Sequence, residues 1–184
     1  QSGFSIDDAF GALWRWMPFL LVSGFLFNVL ISFWTLVIGT CAGAALGLGQ
    51  ISTFGPLRAF SWFITQLFRN SPWLVILFIV LLALPFEFTL FGQTIRVPDW
   101  MKGVFGLSLP IMANISEIVR GAVQSVPTAQ WEAAESLAFS RRQILWQIIL
   151  PQCFKRMLPP WMNWYAILTM ATPVCSLLGS EESI

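Results

Sequence analysis

The sequence has no histidine and only three cysteines, Cys41, Cys153 and Cys175, in 184 residues. The missing histidine removes the usual general base and the commonest metal ligand. The cysteines are too far apart for a zinc cluster or a disulfide framework. They read as small buried thiols. Charge is equally scarce. Charged residues make up 10% of the chain, against about 25% in a soluble domain, too few to cover a water-facing globule. The formal net charge is +1, and no basic stripe is present to follow a phosphate backbone, which excludes a nucleic-acid partner. No glycine-rich loop ending in Lys-Ser or Lys-Thr is found, so ATP is not held by that route. Glu132 and Glu135 lie in a polar stretch unsuited to tuned acid–base work. No cofactor or catalytic residue is expected in this chain.

Long uncharged runs take the place of charge. No charged residue lies between Arg15 and Arg58, between Arg69 and Glu87, or between Arg156 and Glu181. Runs of roughly 18 or more apolar residues are the signature of membrane spans. The fold class is therefore all-α and membrane-embedded. Residues 1–17, rich in Phe10, Trp14 and Trp16, read as an interfacial elbow. Residues 18–120 carry three spans, at about 18–48, 72–85 and 101–120. A surface-lying helix with Phe60, Phe63, Ile64, Leu67 and Phe68 precedes the second span. Ser71 and Pro72 are expected to open that span as cap and first residue. Residues 86–100 read as a loop. Gly39, Gly43 and Gly47 recur every four residues, which favours close approach of another helix.

Residues 121–151 are more polar. Glu132–Leu137 has helix-forming composition, a turn follows near Ala138–Ser140, and a second amphipathic helix covers about 141–149. Residues 152–184 contain a fourth apolar segment, about 157–179, whose Pro159, Pro160, Pro173 and Gly179 predict an interrupted helix. Broken segments in transporters mark the solute site. Asn114 of the third span and Asn163, Thr169, Thr172 and Ser176 of this segment are polar groups at membrane depth and are the candidate solute path. Helix–helix hydrogen bonding is the alternative role for each. Glu117 and Arg120 form an i,i+3 pair at the inner end of the third span. The excess of basic residues on one side puts the N-terminus outside and the 121–151 loop in the cytoplasm.

That loop carries a pattern. Glu132-Ala133-Ala134 is followed after three residues by Ala138, and after nine more by Ile148-Ile149-Leu150-Pro151. The spacing resembles the cytoplasmic signature of permease subunits of bacterial ABC importers, with Ala138 where that family has glycine. Ser116-Glu117-Ile118-Val119-Arg120-Gly121, Gln124-Ser125-Val126-Pro127, Gln130-Trp131 and Arg69-Asn70-Ser71-Pro72 extend the likeness to the polar amino-acid subfamily. The resemblance implies a type I importer transmembrane domain of about five spans, the last absent from this chain, with roughly 35 further residues expected after Ile184. It implies a permease in the bacterial cytoplasmic (inner) membrane, moving amino acids or related small polar solutes. The implied partners are a second permease subunit, alike or different, two copies of an ATP-binding subunit, and a periplasmic or extracellular solute-binding protein. ATP and magnesium would be bound by the ATPase. Glu132, Ala133, Ala134, Leu137, Ala138, Ser140 and Arg141 would dock into it. Met170-Ala171-Thr172-Pro173 and Trp164 depart from the subfamily's more polar pattern, which suggests a subunit that contributes little to the solute site or takes a less polar solute. An ion-coupled carrier would need ionisable groups inside its spans, and these span interiors have almost none. A membrane scaffold with no transport path would not need a broken fourth segment.

Overall fold

The computed structural model describes residues 5–84 and 87–180, and their side chains except at 87, 88, 99 and 173–180. Its elements are α1 (Ile6–Gln50), α2 (Gly55–Asn70), α3 (Trp73–Ala83), β1 (Glu87–Leu90), β2 (Gln93–Arg96), α4 (Asp99–Gln124), α5 (Thr128–Ser136), α6 (Arg141–Gln143), a π-helical turn (Ile144–Ile149) and α7 (Leu150–Ser180).

α1 starts where a side chain can satisfy its first free amides. The Ser5 hydroxyl accepts from the Asp8 amide at 3.2 Å, and Asp7 and Asp8 face the positive end of the helix dipole. The helix then runs 45 residues without a break, about 67 Å at 1.5 Å per residue. This corrects the expected elbow. Residues 6–17 continue directly into the first span, because tryptophan content reports depth in a bilayer and not the end of a helix. Among the described residues, α1 is the one helix long and apolar enough to cross a membrane by itself. α2 and α3 qualify only together, and they bend by 103° at their break. With 11 residues, α3 reaches about 16 Å, half of a hydrocarbon core of about 30 Å. The second span is thus shorter than expected. Ser71 does not cap it either. Pro72 takes the cap position, and the Ser71 hydroxyl donates back to the Leu67 carbonyl of α2 at 2.7 Å.

α4 is the central helix and packs on α1, α2, α3 and α7. Leu36, Leu77, Leu107, Ile111, Ile115, Val119 and Leu168 form the buried core around it. The glycine stripe of α1 lies on this helix. A Cβ at Gly43 would sit 2.6 Å from the Ile115 Cβ, and one at Gly47 would sit 2.7 Å from the Val119 Cβ. Gly39 meets Ile111 in the same way. The pairing advances four residues on each helix together, so the two helices run parallel. The helix that approaches this stripe is therefore α4 of the same chain.

The expected loop at 86–100 contains an antiparallel hairpin, Leu90 opposite Gln93 and Glu87 opposite Arg96. Phe91 and Gly92 make its two-residue turn, with φ of 52° and 80°, the left-handed pair that suits the twist of a hairpin. Phenylalanine at the first turn position is why the sequence did not suggest one.

α7 is also unbroken, which corrects the expected interruption. Pro159 and Pro160 deprive the Lys155 and Arg156 carbonyls of their helical donors. Both lie beside charged side chains at the polar end of the helix, where water can reach them. Pro151 is accommodated differently. A proline ring collides with the carbonyl four residues earlier. The π-helical turn just before it widens the backbone there, and the Leu150 amide bonds the Leu145 carbonyl five residues back.

Candidate functional site

The stretch from α5 to the π-helical turn forms a knob at one end of the molecule. Its turn is a Schellman closure. The Phe139 amide donates to the Ala134 carbonyl at 3.2 Å, and the Ala138 amide donates to the Glu135 carbonyl at 3.0 Å. This geometry needs a left-handed residue after the cap, and Ala138 supplies it with φ of 64°. Glycine takes that conformation freely. Alanine does so at a cost of roughly 1–2 kcal/mol. The next helix opens on a reciprocal cap: the Gln143 amide donates to the Ser140 hydroxyl, and the Ser140 amide donates to the Gln143 side chain at 2.9 Å. Ala134 and Phe139 pack with Val123, Val126, Ile144, Ile149 and Cys153 in a core of the knob's own.

Two contacts join the knob to α1 and α7, and a third joins α7 to the end of α4. Arg141 Nη2 donates to the Ile51 carbonyl at 3.0 Å, and its guanidinium lies 5.1 Å from the centre of the Trp131 ring. Arg156 donates to the Ser125 hydroxyl at 2.7 Å. Gln152 donates to the Gln130 side chain at 2.6 Å. Glu132, Ala133, Glu135, Leu137 and Ala138 are left exposed, Leu137 at 72%. Of the seven docking residues named from the sequence, Glu132, Ala133, Leu137 and Ala138 face outward. Ala134 is buried, while Ser140 and Arg141 brace the turn. Trp131 belongs to the Gln130-Trp131 pair noted in the sequence, whereas Ile51, whose carbonyl receives Arg141, carries no motif that would have singled it out.

Directly above, a polar junction joins three helices. Gln50 of α1 donates to Thr65 of α2 at 3.0 Å and to Ser116 of α4 at 2.6 Å, and all three are buried. At the next residue of α4, Glu117 accepts two bonds from Arg120, at 3.2 and 2.7 Å, and lies 3.7 Å from Arg69 at the end of α2. Arg120 also reaches Gln124 at 3.0 Å. The i,i+3 pair anticipated from sequence thus also engages the bend between α2 and α3.

The candidate solute-path residues are not brought together. Asn114 lines a cavity of about 220 Å3, with Arg69, Trp73 and Trp164 around it, while its amide donates to the Pro110 carbonyl. Thr172 is buried 2.9 Å from Ser32 of α1. Asn163 and Thr169 are exposed, and Thr169 donates to the Tyr165 carbonyl. The Ser176 side chain lies outside the described residues. Trp164, noted for its departure from a more polar pattern, faces the cavity.

The sequence matches a family of known proteins. Residues 39–182 match the family described as the binding-protein-dependent transport system inner membrane component. The chain belongs to that family. It is 33% identical over 155 residues to a probable amino-acid ABC transporter permease protein, y4tF, of Sinorhizobium fredii, covering 84% of this chain and 65% of that protein. It is 32% identical over 164 residues to a putative glutamine transport system permease protein, GlnP, of Rickettsia conorii, covering 89% of this chain and 73% of that one. Its structure is similar to the crystal structure of an amino acid ABC transporter with histidines, with a TM-score of 0.75, 26% identity, and coverage of 91% of this chain and 75% of that one. The inward-facing MetNI methionine ABC transporter shares the fold, with a TM-score of 0.63 and 21% identity over 89% of this chain and 74% of that one. The architecture is therefore that of a type I importer's inner membrane component.

Proposed function

We propose that this chain is the permease subunit of an ATP-driven importer for amino acids or related small polar solutes, coupled through its knob to a separate ATPase. The observation that carries the proposal is the construction of the knob. A closed turn, a reciprocal cap and a small core make it rigid, yet its outer face keeps Glu132 and Leu137 exposed. An exposed leucine beside a carboxylate on a rigid protrusion suits insertion into a groove of a soluble partner. Arg141 and Arg156 would carry the motion of that partner to α1 and α4.

In this reading the N-terminus lies outside and the knob in the cytoplasm, where Arg58, Arg69, Arg120, Arg141, Arg142, Lys155 and Arg156 satisfy the positive-inside bias. A second permease subunit completes the path, a pair of ATPase subunits binds ATP and magnesium, and an external binding protein delivers the solute. The relatives' names support the amino-acid class.

The test is co-reconstitution of the chain with its ATPase and second permease in proteoliposomes. Glu132→Arg is expected to release the ATPase, or to leave ATP hydrolysis running without uptake. Uptake that continues with no ATPase bound would overturn the proposal and favour an ion-coupled carrier.

A further inference from the structure

A groove of about 770 Å3 opens between the end of α1, the start of α2 and the knob. Ala42, Ala45 and Leu46 of α1 and Met112 of α4 line one wall of this open groove. Leu57 and Phe60 of α2 form its side, and both are exposed in the chain. Arg142 and Trp146 of the knob line it at the Ile51 end, beside Arg141.

The groove changes character along its length. From Ala42 to Ile51 is nine residues of helix, roughly 14 Å. One end is therefore cationic and the rest is apolar for more than one full turn of helix beyond it. Arg141 is committed to the Ile51 carbonyl and the Trp131 ring. Arg142 is exposed and takes no part in those contacts. Trp146 is 55% exposed, and tryptophan favours the level of the headgroups. Basic pockets between membrane helices on the cytoplasmic side receive anionic lipid headgroups. A soluble metabolite has no use for an apolar wall of that length. A partner helix could cover the wall but has no need of an arginine at its end.

We infer that this groove holds one acidic glycerophospholipid of the inner leaflet, its phosphate on Arg142 and an acyl chain along Ala45, Leu46 and Phe60. The site is separate from the solute cavity around Asn114 and from the outward face of α5. It depends only on the knob lying at the inner membrane surface.

The experiment uses the complete transporter in detergent, incubated with phosphatidylglycerol or phosphatidylcholine and weighed by native mass spectrometry. The intact complex is expected to keep one phosphatidylglycerol per copy of this chain. Arg142→Gln should reduce retention about fivefold, the effect of one surface arginine, with no change in assembly. Leu46→Trp should expel the lipid by filling the groove. Arg142→Gln alone decides the outcome if Leu46→Trp does not assemble. Equal retention by the native chain and Arg142→Gln, or equal retention of the two lipids, would overturn the inference. So would a photo-crosslinker at Phe60 that captures the ATPase or the second permease in place of lipid. The readout is mass, so a wrong solute or a failed coupling assay would leave it unaffected.

Discussion

Arg141 donates to the carbonyl of Ile51, the residue that closes α1, at 3.0 Å and across ninety positions of sequence. This bond links the end of the first helix to the knob, and the Trp131 ring holds the guanidinium in place for it. Arg141→Ala should loosen that connection. Amide hydrogen exchange in 137–143 is expected to quicken by roughly three- to tenfold, the effect of losing an ionised donor and an exposed cation–π contact. Arg141→Lys should recover little, because lysine lacks the planar fork that stacks and donates together. Unchanged exchange in Arg141→Ala would show that the knob's own core holds it in place.

Ala138 occupies a left-handed position that glycine would fill without strain. Ala138→Gly is expected to stabilise the chain by about 1 kcal/mol. Ala138→Val should destabilise it by more. Thermal unfolding of the purified complex measures both. A stability loss in Ala138→Gly would mean that φ at this position is not left-handed in the assembled transporter.

The α1–α4 contact should be intolerant of one carbon atom. Gly43→Ala forces a methyl against Ile115 and the Met112 carbonyl, at a cost of about 1–3 kcal/mol. Gly24→Ala, in the same helix with nothing within 4 Å, should be neutral or mildly stabilising. Melting temperatures of the two variants give the comparison.

Glu117 ties the α2–α3 bend to the helix that leads into the knob. Glu117→Gln should weaken both arginine contacts and lower stability by about 1–2 kcal/mol. A double-mutant cycle with Arg69→Gln is expected to show a coupling smaller than one with Arg120→Gln, since 3.7 Å is a looser pair than 2.7 Å. Equal couplings would mean that Arg69 closes on Glu117 in the assembled complex.

Thr172 is a buried link to Ser32. Thr172→Ala should lower stability by roughly 0.6 kcal/mol and leave the order of solute preference unchanged. Competition among amino acids for uptake checks this. A selective loss of one solute would return Thr172 to the transport path.

The membrane class and the position of the knob were legible because both rest on runs of residues. Forty-two uncharged positions between Arg15 and Arg58 allow few readings, and the signature around Glu132 spans two helices and a turn. The errors came from single residues. Pro159, Pro160 and Pro173 suggested a break, yet α7 continues, because a membrane helix can pass proline where its freed carbonyls find other partners. Ser71 looked like a cap and bonds backwards instead. Phe91 hid a hairpin that Asn-Gly would have announced. The Ile51 carbonyl and the Gln50–Thr65–Ser116 junction were beyond reach, since each depends on which helices meet and not on local pattern.

The π-helical turn before Pro151 has an effect beyond making room for a ring. One residue too many in a helix advances its angular phase by about 100°. Everything downstream of Leu150 is therefore rotated relative to the knob by more than a quarter turn from where a regular helix would place it. That rotation sets which side of α7 carries Cys153 into the knob's core and Trp164 towards the cavity. The knob and the cavity are thus indexed to each other by an inserted residue, and deleting one position between Ile144 and Ile149 would re-aim the whole of α7 without altering any of its side chains.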